Sequence, residues 1–413
     1  MLRTLHLSTC FIILITIALN SCQASSNQEQ EVAARQLPIH IMAYYVPSDE
    51  YPPEKLPLDQ LSHIIYSFSK VVEGEMGFTD EEAPEKLRSL LAQKDNHPHI
   101  KFMLACGGWG AGGFSDMSVT AVGREKFVKS TIAMINEYQL DGIDIDWEYP
   151  AIGSAGIDFR PEDKQNFTLL MKELREAMDA VNPDLILTFA SAGWQRYYDH
   201  VELTEVMKYA DYMNVMTYDA VGGTTPYTAH HTGLGLITDD DVKDHPFYTY
   251  VQERRADAEE GASLYQPRSA QRIIDYCIAQ GVDPQQIVIG GAFYGRAWKG
   301  VPPENNGLYQ PNKGVHTGWA GYKDIRKAYE NKNGFTRYWD ETAKAPYLYN
   351  PTDSIFISYD DTLSLKLKTE YAIEKDLGGI MFWQLTNDTQ EDNSLVDAIY
   401  NAATQEQVVA GKE

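Results

Sequence analysis

Short apolar, β-branched runs recur along the chain, separated by longer stretches in which apolar positions fall every third or fourth residue. The runs occupy residues 39–46 (IHIMAYYV), 63–69 (HIIYSFS), 100–106 (IKFMLAC), 142–147 (GIDIDW), 185–191 (LILTFAS), 212–218 (YMNVMTY), 287–293 (IVIGGAF) and 378–384 (GGIMFWQ). Between several of them lie amphipathic helical patterns, among them EKLRSLLAQK, REKFVKSTIAMINEYQL, KQNFTLLMKELREAMDAV, SAQRIIDYCIAQG and SLKLKTEYAIEKD. Strands alternating with helices predict an α/β fold with a parallel sheet. Eight is the number that closes a (β/α)8 TIM barrel. An open doubly wound sheet would carry a glycine-rich phosphate turn after its first strand, and PSDEYPPEK stands there instead. The barrel is the expected fold.

Residues 299–350 break this rhythm. They are rich in Gly, Asn, Pro and aromatics, with one short helical pattern, KDIRKAYENK. An interruption of that size between strands seven and eight predicts a small subdomain rather than a loop. It is placed at residues 299–345, with the barrel taking 37–298 and 346–405 and a polar tail at 406–413. A second long connection, residues 220–267, contains QERRADAEE, which reads as a solvated helix.

Upstream of the first strand the pattern changes character. Arg3 leads into CFIILITIAL, an apolar run too short to span a bilayer. Residues 1–21 therefore read as a secretory signal peptide, and 22–36 as a flexible tether. The run ends in LNSC, which resembles a bacterial lipobox and implies lipidation at Cys22. The protein would then be a lipoprotein, periplasmic or at the cell surface, touching the membrane only through that anchor. Asn20 departs from the usual pattern, and cleavage near Ala24 to give an extracellular protein is the alternative. Of four cysteines only Cys106 and Cys277 remain for the folded part. That is no disulfide framework, and no Cys/His spacing suits zinc. No metal or cofactor is expected. A net charge of −24 with no polybasic cluster argues against nucleic acid, whereas a neutral polysaccharide would not be repelled.

The run at 142–147 carries an anomaly. In DGIDIDWEYP the acids Asp144, Asp146 and Glu148 alternate with Ile143, Ile145 and Trp147. In a strand the acids share one face, with neighbours ~6.5–7 Å apart. In a barrel that face points inward, where apolar side chains normally pack and an unpaired charge is costly. Two carboxylates ~7 Å apart repel by roughly 2–3 kcal/mol at an effective dielectric of ~20, worth nearly two pKa units. The row should therefore share a proton near neutrality as a coupled titration. A carboxyl still protonated near neutrality is what a general acid requires. Glu148, last in the row, would stand at the C-terminal mouth where barrel active sites lie, with Asp144 and Asp146 as its tuners. A solvated strand face and a Mg²⁺ or Ca²⁺ site are the competing readings.

DGIDIDWEYP also matches the DxxDxDxE signature of glycoside hydrolase family 18, the chitinases and their relatives, which the chain resembles over most of residues 38–400. CGGWG (106–110) resembles the end of that family's third strand, MTYD (216–219) its sixth, FYGRAW (293–298) its seventh and GGIMFWQ (378–384) its eighth; YTAHHTGLG (227–235) resembles the segment after strand six. The resemblance implies a retaining, substrate-assisted glycosidase, endo-acting on β-1,4-linked N-acetylglucosamine. The nucleophile is then the carbonyl oxygen of the sugar's own 2-acetamido group. Carried over, Glu148 protonates the leaving oxygen and later activates water. Asp146 orients the acetamido N–H, Asp144 supports Asp146, and Tyr218 donates to the acetamido carbonyl. Met216 and Asp219 line the same subsite, and Trp383 gives it an aromatic floor. Tyr44, Phe68, Gly108, Trp109, Tyr149 and Arg296 are further substrate-lining candidates. His230 and His231 are given no chemistry.

One position departs from the family. A serine usual two residues before the glycine pair of strand three is Ala105 here; its absence is expected to alter the pH profile without abolishing activity. The 299–345 insertion resembles the small α+β subdomain that deepens the chitinase cleft, so chitin or chito-oligosaccharides are the expected substrate of an expected monomer. An enzyme acting on N-glycans (an endo-β-N-acetylglucosaminidase) or on a peptidoglycan-like substrate is one alternative, and a non-catalytic chitin-binding lectin-like protein is the second. Cleavage of a glycopeptide alone would favour the first. The second typically loses the acid, which is present here as Glu148. A metal-dependent hydrolase would lose activity in a chelator.

Overall fold

The computed structural model describes residues 37–258, 262–316 and 320–410. The expected leader, tether and Cys22 lie outside them. Eight parallel strands form the central sheet: His40–Tyr45, His63–Val72, Lys101–Gly107, Gly142–Asp146, Ile186–Ala192, Tyr212–Met216, Ile287–Ala292 and Gly379–Trp383. Each pairs with the next in sequence, and the first pairs with both the second and the eighth, so the sheet closes into the expected barrel. A short strand, Glu75–Gly77, hangs antiparallel from the second.

Alternation along each strand sorts the side chains. Met42, Tyr44, Ile65, Met103, Ala105, Val288, Ala292 and Met381 meet in one buried cluster. Between them, Ile41, Ala43, Ile143 and Ile145 are equally buried, facing the helices, as the period of two requires. Helices Ala121–Tyr138 and Asp163–Val181 follow strands three and four. The first is capped by Thr120, whose hydroxyl accepts from the backbone N–H of Gly123. The last helix runs Leu395–Ala410 and so extends into the segment read as a tail.

The inserted sheet is wider than residues 299–345. Its five antiparallel strands lie in the order Ala320–Gly321, Tyr294–Lys299, Ile355–Ser358, Ala345–Asn350 and Thr336–Asp340. FYGRAW therefore lies past the seventh barrel strand, and most of it forms a strand of the insertion. Strand-compatible residues run unbroken from Ile287 through Lys299, and no turn residue marks the join. Trp298, Tyr347, Tyr349 and Phe356 fill the core of this sheet, joined by Phe247 and Val251 from the long connection after strand six. Helix Phe247–Ala256 thus packs one edge there, while most of its polar residues stay exposed or half-exposed.

Asp360, just beyond the strand Ile355–Ser358, ties insertion to barrel. Its Oδ2 accepts from the Ala292 N–H at 2.9 Å, the Thr232 hydroxyl at 2.7 Å and Lys368 Nζ at 2.6 Å. Its Oδ1 accepts from Ser364 at 2.7 Å. Asp360 and Lys368 are both fully buried. Removing one partner of such a pair leaves an uncompensated buried charge. Lys368→Met should therefore destabilise the protein by about 3–5 kcal/mol in urea unfolding, and Asp360→Asn in the same chain should recover part of the loss.

Candidate active site

Strand four delivers the acids. Asp144 lies in register with Ala105 of strand three and Thr188 of strand five, and Asp146 with Gly107. Gly107 has φ +123°, and a Cβ there would stand 1.9 Å from the Asp146 carbonyl oxygen. The Gly108 N–H donates to that same oxygen at 2.8 Å. Only glycine lets the two strand ends approach this closely, which fixes the backbone just before Glu148. On the opposite face Trp147 stacks on Phe114, with centroids 5.3 Å apart, and anchors the strand end in the helical layer.

Asp144 is wholly buried yet well supplied with donors. The Tyr44 hydroxyl donates to Oδ2 at 3.0 Å, and Thr188 and the Asn214 amide donate to Oδ1 at 2.5 and 3.2 Å. Asn214 also donates to the Tyr44 hydroxyl at 2.9 Å. Burial pushes the Asp144 carboxyl up to about 6, and these hydrogen bonds oppose the shift. Asp146 has no such support: its buried Oδ1 lacks a hydrogen-bond partner. Burial, then the charges of Glu148 and Asp144, push it well above the usual carboxylate range, against the pull of Lys70. Glu148 is pushed up to about 7 by burial, with the Asp219 charge adding to the rise and the Tyr149 hydrogen bond and Lys70 opposing it. The expected repulsion along the row is therefore present but second to desolvation, because the low-polarity barrel interior penalises each charge separately.

The other candidates gather around this row. Tyr218 is buried, its hydroxyl 3.9 Å from the Met381 sulfur and its ring 6.0 Å from that of Tyr294. Trp383 stacks on Phe68, centroids 5.4 Å apart at 24°, and leans against Tyr44 at 5.9 Å. Met216, half-buried, packs in the same cluster. Gly108, at φ +91°, brings the chain so close to Phe68 that a Cβ would lie 2.9 Å from its ring. Tyr149 is buried beside Glu148, and Trp109, 66% exposed, stands 6.5 Å from it. Asp219 receives both arms of Arg296, each at 2.6 Å, and the Tyr294 hydroxyl at 2.8 Å. Tyr44 and Arg296 thus spend their polar groups on the carboxylates.

Several residues at the site carry no signal in a single strand. Thr188, Asn214 and Lys70 become visible only through register: Thr188 sits opposite Asp144, and Asn214 is two residues before Met216 on the inward face. Lys70 donates to the Gly107 carbonyl at 2.5 Å and lies over the Phe68 ring. Tyr294 is placed by the inserted sheet, and His231 sits 3.6 Å from Asp219, away from the acid row.

Comparison with known proteins gives a consistent result. Residues 40–388 match Glycosyl hydrolases family 18. The chain is 38% identical to chitinase A1 of Niallia circulans over 322 residues, covering 75% of this chain and 44% of that protein, so it spans less than half of that relative's length. It is 29% identical to chitinase B of Serratia marcescens over 391 residues, 83% of this chain and 77% of that one. A solved family 18 N-acetylglucosaminidase from Paenibacillus barengoltzii superposes with a TM-score of 0.75 at 36% identity, covering 88% of this chain and 99% of its own. A chitinase from Bacillus thuringiensis gives 0.79 at 29% identity, covering 89% and 70%.

Ala105 faces Asp144 across the third and fourth strands, so Ala105→Ser adds a hydroxyl beside a carboxylate. A hydrogen bond to the charged form lowers a carboxyl pKa. The acidic limb of the pH–rate profile should therefore move to lower pH, with activity retained. An unchanged profile would show that the missing hydroxyl does not matter.

Proposed function

Because the chain belongs to glycosyl hydrolase family 18, as the match over residues 40–388 shows, we propose that it hydrolyses β-1,4-linked N-acetylglucosamine chains, chitin or chito-oligosaccharides, with retention of configuration. The observation that carries this reading is the pairing of a proton-holding Glu148 with an Asp146 whose buried Oδ1 has no donor. A sugar acetamido N–H supplies the donor Asp146 lacks. With that N–H held, the acetamido carbonyl oxygen can attack the anomeric carbon of its own ring while Glu148 protonates the leaving oxygen. The bond to the leaving group breaks as the ring closes to an oxazolinium ion, whose positive charge Asp146 stabilises. Glu148, now ionised, takes a proton from water, which opens the ion and restores the starting state. Tyr218 donates to the acetamido carbonyl, and Trp383 carries the distorted sugar on its face. Asp144, supplied with three donors, supports Asp146 from beneath.

The relatives named as chitinases, and the insertion whose Arg296 reaches Asp219, favour a chitin-type chain over an N-glycan. We also place the protein outside the cytoplasm, held by a lipid at Cys22; incorporation of labelled fatty acid that is lost in Cys22→Ser checks this.

Glu148→Gln should leave binding of chito-oligosaccharides measurable while kcat falls by about 10²–10⁴-fold. The pH dependence has a definite sign. Glu148 must be protonated to act, and its pKa is raised to about 7, so kcat/KM should fall as pH rises through about 7. Full activity of Glu148→Gln, or cleavage of a high-mannose glycopeptide to the exclusion of chito-oligosaccharides, would contradict the proposal.

A further inference from the structure

Beyond Tyr149 lies a small pocket that opens in part to solvent. Trp194 links it to the acid row: its ring stands 5.0 Å from the Tyr149 ring, nearly perpendicular to it, and also lines the pocket. The guanidinium of Arg268 lies 4.6 Å over the Trp194 ring and 6.0 Å from Tyr265. Protein encloses this side chain deeply, yet the residue keeps some surface open toward the pocket. Its buried Nε has no hydrogen-bond partner, and among the described residues no carboxylate pairs with it.

The surroundings of Arg268 are uniformly suited to an anion. Arg196 and Arg272 also line the pocket, and among the described residues no Asp or Glu does. Arg272 is committed, donating from Nε to the Pro267 carbonyl at 3.0 Å and from a terminal nitrogen to that of Ile237 at 2.5 Å. Helix Ala270–Ala279 begins here, so its N-terminal dipole end adds positive potential. Three arginines lining one pocket run against a chain of net charge −24, although Arg272 also feels the charge of Asp239. A purely structural stack between Trp194 and Tyr265 accounts for the faces of the guanidinium. It leaves the buried in-plane Nε–H, which points away from those faces, without an acceptor. That planar fork matches a carboxylate.

We propose that this pocket is an anion subsite in which Arg268, braced by Trp194 and Tyr265, receives a carboxylate carried on an N-acetylglucosamine chain bound across Glu148. The inference rests on the hydrolytic reading above and adds a preference to it: acidic chains over neutral ones. Such a carboxylate has two chemical sources, a terminal sugar oxidised to its aldonic acid or a carboxylic acid ether-linked to a ring hydroxyl.

The test compares three oligomers of equal length: neutral, oxidised at the reducing end, and bearing the ether-linked acid. The ratio of acidic to neutral kcat/KM is read within each variant, so that a loss of folded enzyme cancels. The wild-type chain should prefer one acidic oligomer by about tenfold, and that oligomer identifies the source. The preference should vanish in Arg268→Met, persist in part in Arg268→Lys, and weaken at high salt. A wild-type ratio near one, or a ratio unchanged in Arg268→Met, overturns the subsite while leaving the hydrolase reading intact. Hydrolysis of none of the three overturns both.

Discussion

The site depends on the cost of placing charge inside a barrel. The interior of an eight-stranded barrel offers little polarity, and three carboxyl groups facing into it from one strand are each penalised before they meet one another. The protein distributes donors unequally in response. Asp144, deepest in the row, has three partners from strands one, five and six. Asp146 retains an unfilled oxygen, and Glu148 stands at the rim with a hydrogen bond from its neighbour Tyr149. Support is greatest at Asp144, deepest in the barrel, and least at Asp146. A fully satisfied row would hold its protons too weakly to act as an acid, and a wholly unsupported one would stay neutral throughout.

Close backbone approach makes this distribution reproducible. Gly107 and Gly108 let strand three press against the end of strand four, and Trp147 holds the far side against Phe114. Lys70, reaching to the Gly107 carbonyl, places one positive charge near Asp146 and Glu148 without pairing directly with either. It moderates the row rather than neutralising it. A direct ion pair would depress the carboxyl it touched and remove the proton that the proposed chemistry needs.

The barrel was legible because period-two strands and period-3.6 helices are local patterns, and the acid row because Asp144, Asp146 and Glu148 break one of those patterns visibly. The donors to Asp144 were not legible. Thr188 and Asn214 look like ordinary polar residues until strand register brings them to the same carboxylate, and register is a non-local property. The edge of the insertion failed for the opposite reason: strand-like residues continue from Ile287 through Lys299, so local pattern gave no sign that the chain leaves one sheet for another. Repulsion was overweighted for a related cause. Spacing along one strand can be counted from sequence, whereas burial of each carboxyl depends on everything packed around it.

The inserted sheet also has an electrostatic part in the site. Burial alone would raise Asp219 as it raises the others, but the nearby His231 and the hydrogen bonds and charge of Arg296 outweigh that and hold Asp219 below the usual carboxylate range. Asp219 therefore stays ionised in a cleft whose other acids are raised, and its charge adds to the rise at Glu148. Two environments within one cleft thus push carboxyl groups apart, which is how one site keeps an acid and a fixed anion at the same pH. Arg296 and Tyr294 reach Asp219 only because the chain turns from the seventh barrel strand into the first long strand of the insertion. The insertion therefore acts on the protonation of Glu148 through Asp219.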